Sequence, residues 1–248
     1  MPRLSSNLAN AYLLSKASAP TSSSPRPTTS PGPSGGSAIE TNRLLASLML
    51  ANFLYMKSSD ITIRPATEAD AALIAQVVAM AIGDEEGVRH YCGEQYLNVL
   101  ADIASQSDTQ YSWQQTLVAE VDGEAVGAIV GYDGGELYRL REGTYAVIRK
   151  TIAEAQPIID ETEAGEYYLD SVGVLPHFQG RGIGRALVNA LCTKAFAEGH
   201  QRVGLIVDRE NPQAESLYAS LGFRRVGTKL FFGHKMWHLQ LENQAARR

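Results

Sequence analysis

The chain has 248 residues, 44% apolar and 20% charged, long enough for one substantial hydrophobic core with an appendage. Its net charge of −5 is uneven: Arg3, Lys16, Arg26 and Arg43 against Glu40 leave the first 55 residues at +3 and the rest at −8. An acidic body argues against a nucleic-acid backbone as the main partner and mildly favours cationic substrates such as amines.

Two distant cysteines, Cys92 and Cys192, make neither a disulfide framework nor a zinc spacing, so they read as core thiols in a reducing compartment, the cytoplasm by default. Residues 17–38 are mostly Ser, Thr, Pro and Gly and carry too little apolar surface to offset the entropy of ordering, so disorder is expected there. The run Leu44–Met56 is apolar but shorter than the roughly 20 residues of a membrane-spanning helix, and it starts too far in for a signal peptide core. No membrane partner is expected. Three readings of residues 1–55 compete: an extension upstream of a natural start at Met56, a Ser-rich transit peptide that would direct organellar import, and an interaction tail with a short docking helix at 44–56.

From residue 57 the pattern is that of one folded domain. Ile61–Ile63 is a short strand ended by Arg64-Pro65, and Thr67 caps a helix over Ala69–Ile82 with Asp70 in the capping-box position. Gly83 to Gly87 breaks the chain before a second helical pattern through Tyr96, Leu97, Leu100 and Ile103. The loop Asp108–Trp113 offers Gln110, Tyr111 and Trp113 either as substrate contacts or as packing staples. Thr116–Val121 and Ala125–Tyr132 are strands joined by Asp122-Gly123, a hairpin signal, and a helical stretch follows over Leu137–Ala155.

Residues Glu166 to Gly199 read as strand, glycine-rich turn and helix. Tyr168, Leu169, Val172, Val174 and Leu175 are strand formers that Pro176 ends, and Leu187, Val188, Leu191, Ala195 and Phe196 line one helical face closed by Gly199. Gly180, Gly182 and Gly184 between them expose N–H groups at a helix start, an anion cradle suited to a diphosphate. The turn fails the Rossmann code, because Arg185 stands where the third glycine belongs, and it fails the P-loop code, because Gly184 is followed by Arg185 and Ala186. What remains is Gln179-x-x-Gly182-x-Gly184. A short buried-type strand, Val203–Val207, comes next, then Asn211 as N-cap, Pro212 in the first helical position, Ala214, Leu217, Tyr218 and the closing Gly222-Phe223. Val226–Phe232 and Lys235–Leu241 form a last hairpin about Gly233-His234. His234 and His238 at four-residue spacing read as surface or lining residues, and with no third ligand no metal is expected.

The two glycine-bearing motifs together resemble the GCN5-related N-acetyltransferase (GNAT) family over about residues 61–241. The resemblance implies an α/β (α+β) fold, a mixed, mostly antiparallel central sheet flanked by helices, here with a helical insertion between strands three and four. It also implies acetyl-CoA as cosubstrate, its pyrophosphate held by Gln179, Gly180, Arg181, Gly182, Ile183, Gly184 and Arg185, with Asn211 among the cofactor contacts. Backbone of Val172, Gly173 and Val174 would pair with the pantetheine arm, an N–H near Val174 polarising the thioester, and Tyr218 would protonate the departing thiolate. The helix pair after Gly83 would overhang the acceptor, so that Asp84, Glu85 and Glu86 either attract an amine or form a solvated acidic loop, the commoner reading.

Glu166, Tyr168 and Asp170 alternate along the strand and are expected on one cleft-facing side with Val172 and Val174. Asp170, then Glu166, are the candidate bases, with ordered water as a third route. The expected activity is direct transfer of an acetyl group to a primary amine, on a small molecule or a protein amino terminus, by a monomer or homodimer. The rival is a non-catalytic acyl-CoA-binding module.

Overall fold

The computed structural model describes residues 61–83, 85–152, 160–231 and 234–244. The expectations for residues 1–55, Asp84, the end of the helical stretch at 153–155 and the turn at 232–233 lie outside the described residues. Strands β1 (Ile61–Pro65), β2 (Thr116–Val121), β3 (Glu124–Asp133), β4 (Tyr167–Val174), β5 (Arg202–Asp208), β6 (Arg224–Phe231) and β7 (His234–Glu242) form one sheet in the order β1-β2-β3-β4-β5-β7-β6. β4 and β5 run parallel and the other neighbours antiparallel, so the sheet is mixed. The helices are α1 (Ala71–Ile82), α2 (Glu85–Cys92), α3 (Tyr96–Ser105), α4 (Leu137–Ile148), α5 (Ile183–Ala197) and α6 (Pro212–Ser220).

Local sequence explains most boundaries. The Thr67 N–H donates to Asp70 Oδ2 at 2.7 Å, and a single 3-10 turn precedes α1. Arg64 clamps the same carboxylate with two hydrogen bonds of 2.8 and 2.9 Å and reaches Glu120 on β2 at 2.7 Å, tying the first strand to the first helix. Asp122 and Gly123 both take positive φ, 53° and 82°, as a tight twisted hairpin requires. α5 and α6 end in the same way: Gly199 and Gly222 are left-handed, and the following N–H groups of His200 and Phe223 return to Ala195 and Tyr218. One expectation is corrected here. The chain breaks at Gly83, but Glu85, Glu86 and Gly87 continue as the first turn of α2, where two acids at an N-terminus favour helix.

The sheet is covered on both faces. α5 and α6 pack Leu187, Val188, Leu191, Ala214 and Tyr218 against Ile129, Leu169, Val172, Val174, Leu205 and Val207. On the opposite face, α1, α3 and the end of α4 bury Ile74, Val77, Leu100, Ile103 and Ile148 over Val118, Ala128 and Val130, and the start of α4 closes over Tyr132, Tyr168, Ile206 and Met236. α4 is the helical insertion between β3 and β4, and it forms part of this second layer. Cys92 and Cys192 are buried free thiols whose pKa burial pushes up to about 12.

Candidate active site

β4 and β5 pair only at Tyr167 with Val203 and Tyr168 with Gly204, and then diverge. Past Tyr168, β4 is bonded to β3 alone, as far as Val174 opposite Gly127, so one edge of Asp170–Val174 faces the opening. Because the two strands are parallel, the loops that follow them, the glycine turn after β4 and Asn211 after β5, leave the sheet at the same end, where open α/β sheets bind ligands. This divergence is a tertiary feature without a local sequence signal.

The glycine turn begins with a brace. Gln179 donates its side-chain amide to the Val174 carbonyl at 2.9 Å, while its own N–H reaches Pro176 O at 3.3 Å. Gly180 and Gly182 then adopt φ of 76° and 83°, with open space where a Cβ would stand. Gly182 caps α5, and Ala186 supplies the first return bond to it at 3.0 Å. Among the described hydrogen bonds none engages the peptide N–H groups of Gly180, Arg181, Gly182, Ile183, Gly184 or Arg185. Free donors at a helix start, with the exposed Arg181 and Arg185 beside them, suit a polyanion. Asn211 accepts the Ala214 N–H at 3.0 Å as the N-cap of α6.

α6 also carries Tyr218, fully buried in the core between sheet and α5. Its ring packs edge-on against Phe223, yet its hydroxyl is buried with no hydrogen-bond partner among the described residues. Buried hydroxyls are normally satisfied, so an orphaned one marks a place for a missing partner. Burial drives the phenol pKa well above its ordinary value. Tyr168, at the last position where β4 pairs with β5, has its pKa raised by burial and then by the charges of Glu161, Asp170 and Glu166.

Asp170 sits on a β-bulge. Val130 faces Ser171 and Gly131 faces Leu169, leaving Asp170 as the extra residue of β4. The bulge reverses the alternation, which corrects the expected common face. Tyr168 and Asp170 do share a side with Tyr132, but Val172 and Val174 turn with Leu169 into the opposite layer. Only their backbone edge remains toward the opening.

Asp170 Oδ1 accepts the Ser171 hydroxyl at 2.8 Å and Oδ2 accepts the Tyr132 hydroxyl at 3.1 Å. Tyr132 also lies 3.3 Å from Glu161 Oε1, and Gln110 donates to both, at 3.1 and 3.3 Å. Behind them Arg141 of α4 reaches Glu161 at 3.7 Å and Asp160 at 2.6 Å. Burial lifts Asp170 to about 6 against the pull of Ser171, Tyr132 and Arg141. Burial, followed by the charge of Asp170, lifts Glu161 to about 8 against Arg141. Sequence reading missed Glu161, since an acid in the segment before a strand carries no local mark. Gln110, read as either a substrate contact or a packing residue, is buried in this network. Tyr111 and Trp113 are packing residues of the adjoining layer.

Glu166 belongs to a separate cluster. Its Oε2 accepts from Gln240 at 2.7 Å and pairs with His238 at 2.8 Å, and its Oε1 accepts from Thr162 at 2.8 Å. Burial alone would raise its pKa, but His238, Gln240 and Thr162 outweigh it and hold the carboxyl below the usual range. Of the surface or lining positions expected, the surface one is excluded for His238, which is a buried partner of an acid, and His234 lies 3.5 Å from Asp208. No group of three or more metal-type side chains is present among the described residues. Among them, too, no helix is long and apolar enough to cross a membrane. A hollow of about 820 Å³ near Phe223 and Val226 and another of about 570 Å³ beside Glu85 and His90 share no lining residue with the divergence.

The profile of the acetyltransferase (GNAT) family matches residues 85–223. An acetyltransferase of Sodalis glossinidius is 31% identical over 121 residues, 48% of this chain and 64% of that protein. The mycothiol acetyltransferase of Nocardiopsis dassonvillei is 37% identical over 102 residues, 40% of this chain and 30% of that one. The chain therefore spans less than two thirds of either. A solved structure described as an acetyltransferase is 35% identical, with a TM-score of 0.64 over 73% of this chain and 98% of that one. On the family profile, this structural match and the split sheet with its glycine turn, the chain belongs to the GNAT family of acetyltransferases.

Proposed function

We propose that the protein transfers an acetyl group from acetyl-CoA to a primary amine, on a small molecule or a protein amino terminus, by direct attack. The observation that carries this reading is the opening between β4 and β5, with unengaged N–H groups of residues 180–185 at its mouth, together with the buried, unpartnered Tyr218 hydroxyl in the layer of α5 and α6. The first set suits a diphosphate, the free edge of Val172–Val174 suits an amide-bearing pantetheine arm, and the hydroxyl suits a sulfur. Asn211 contributes through the helix start that it caps.

Asp170 is the base of choice over Glu166. It is half-buried with solvent access and its pKa lies near 6, whereas Glu166 is buried, bonded to three partners and less basic than usual. Asp170 takes the ammonium proton, breaking N–H and forming O–H. The neutral nitrogen attacks the thioester carbon, whose oxygen charge falls to the β4 N–H near Val174. As C–S breaks, Tyr218 gives its O–H proton to the sulfur and regains one as the nitrogen loses its second. The high pKa of Tyr218 keeps it protonated, and the same dry surroundings make the leaving thiolate a stronger base than in water.

The test is thiol release from acetyl-CoA across a panel of amines, together with protection of the protein against heat by coenzyme A. Tyr218→Phe is expected to lower kcat at least tenfold with protection retained, an effect typical of losing an acid catalyst. Protection without thiol release from any amine would favour a non-catalytic acyl-CoA-binding module instead.

A further inference from the structure

We propose that Glu161 and Asp170 act as one proton-sharing pair bridged by the Tyr132 hydroxyl, so that Glu161, a residue of the segment linking the α4 insertion to β4, sets the charge state of the base. The geometry is a short chain: Glu161 Oε1 to Tyr132 OH at 3.3 Å, and Tyr132 OH to Asp170 Oδ2 at 3.1 Å. Two carboxylates joined through one hydroxyl, in a layer closed by Tyr111, Tyr132 and Tyr168, cannot both ionise near neutral pH without strong repulsion.

The other groups facing the pair decide where the proton lies. Arg141 approaches Glu161 from α4, Gln110 donates to it, and Asp160 adds a second negative charge on the Arg141 side. Tyr91 of α2 and Tyr111 sense the charge of Glu161, and Lys229 of β6 acts on Asp160. Glu161 is buried on every side, whereas Asp170 keeps partial access to solvent and two hydroxyl donors. The proton therefore rests on Glu161 and the charge on Asp170. Glu161 then donates to the Tyr132 oxygen and Tyr132 donates to Asp170, and the whole chain points at the atom that receives the ammonium proton. Glu161 is a positioning residue: it acts through Tyr132.

The pairing is a property of the ligand-free protein, while its use in catalysis rests on the acetyl-transfer reading above. The experiment is a pH titration of carbon-13-labelled Asp and Glu carboxyls by NMR in the wild type, Asp170→Asn and Glu161→Gln. In the wild type Glu161 is expected to take its proton near pH 8 and Asp170 near pH 6. Asp170→Asn should move the Glu161 titration down by about one pH unit or more, since it deletes the neighbouring charge. Should that variant fold poorly, Glu161→Gln supplies the second arm: Asp170 should keep a single elevated step and the step near pH 8 should vanish. A Glu161 that ionises below pH 5 in the wild type, or ignores the residue at 170, overturns the pairing. In kinetics, Glu161→Gln should convert a two-step rise of kcat/KM with pH into one step. Intact carboxyl coupling with no thiol release would leave the pairing standing and remove the catalytic reading instead.

Discussion

At the residue scale the most constrained position is Gly204. A Cβ there would lie 1.9 Å from Glu166 Oε2, so the missing side chain is what lets the buried carboxylate reach His238 and Gln240. Gly204→Ala is expected to cost about 2–3 kcal/mol by urea denaturation, through overpacking and displaced hydrogen bonds. Asp70 gives a pH signature. The Arg64 guanidinium holds its pKa down at about 2, so its contribution is complete above the unfolded carboxylate value near 4 and is lost as pH falls toward 2. Asp70→Asn should flatten acid unfolding in that window, read by circular dichroism. Glu161 has the opposite sign: its raised pKa penalises the native state as pH climbs from the carboxylate range toward about 8, and Glu161→Gln should remove the loss of Tm across that window.

At the element scale, the two helices that follow the parallel strands carry the proposed chemistry through their ends. Gly182 is left-handed with open space around it, so Gly182→Ala adds backbone strain of about 1–2 kcal/mol without a clash. The strain sits in the turn that presents the N–H groups. Coenzyme A affinity is therefore expected to fall about tenfold by calorimetry, with the global fold intact. β4 shows how one residue redirects an element. Without the bulge, alternation would carry Val172 and Val174 onto the side of Asp170. With it, both valines anchor the strand to α5 and the acid stays with Tyr132.

For the whole molecule, the divergence of β4 from β5 leaves backbone donors and acceptors unmatched in the interior of an otherwise continuously paired seven-stranded sheet. On coenzyme A binding, hydrogen exchange should slow in residues 170–174 and 180–185 and stay unchanged in β1, whose pairing with β2 is already complete. Equal protection everywhere would mean general stabilisation and count against a pantetheine arm lying along β4.

The amino-acid sequence by itself determined the short-range features: the Thr67–Asp70 box, the Asp122-Gly123 hairpin, the Asn211 cap, the Gly199 and Gly222 terminations and the spacing of the glycine turn. Each is settled by residues within a few positions of one another, where backbone sterics and local hydrogen bonds dominate. Tertiary structure alone decided that β4 is bulged and parts from β5, that His238 is buried on Glu166, and that Glu161 meets Asp170 through Tyr132. Those partners lie 9 to 72 positions apart in the chain. Their protonation follows from burial and neighbouring charge, which exist only once sheet and helices have closed around them.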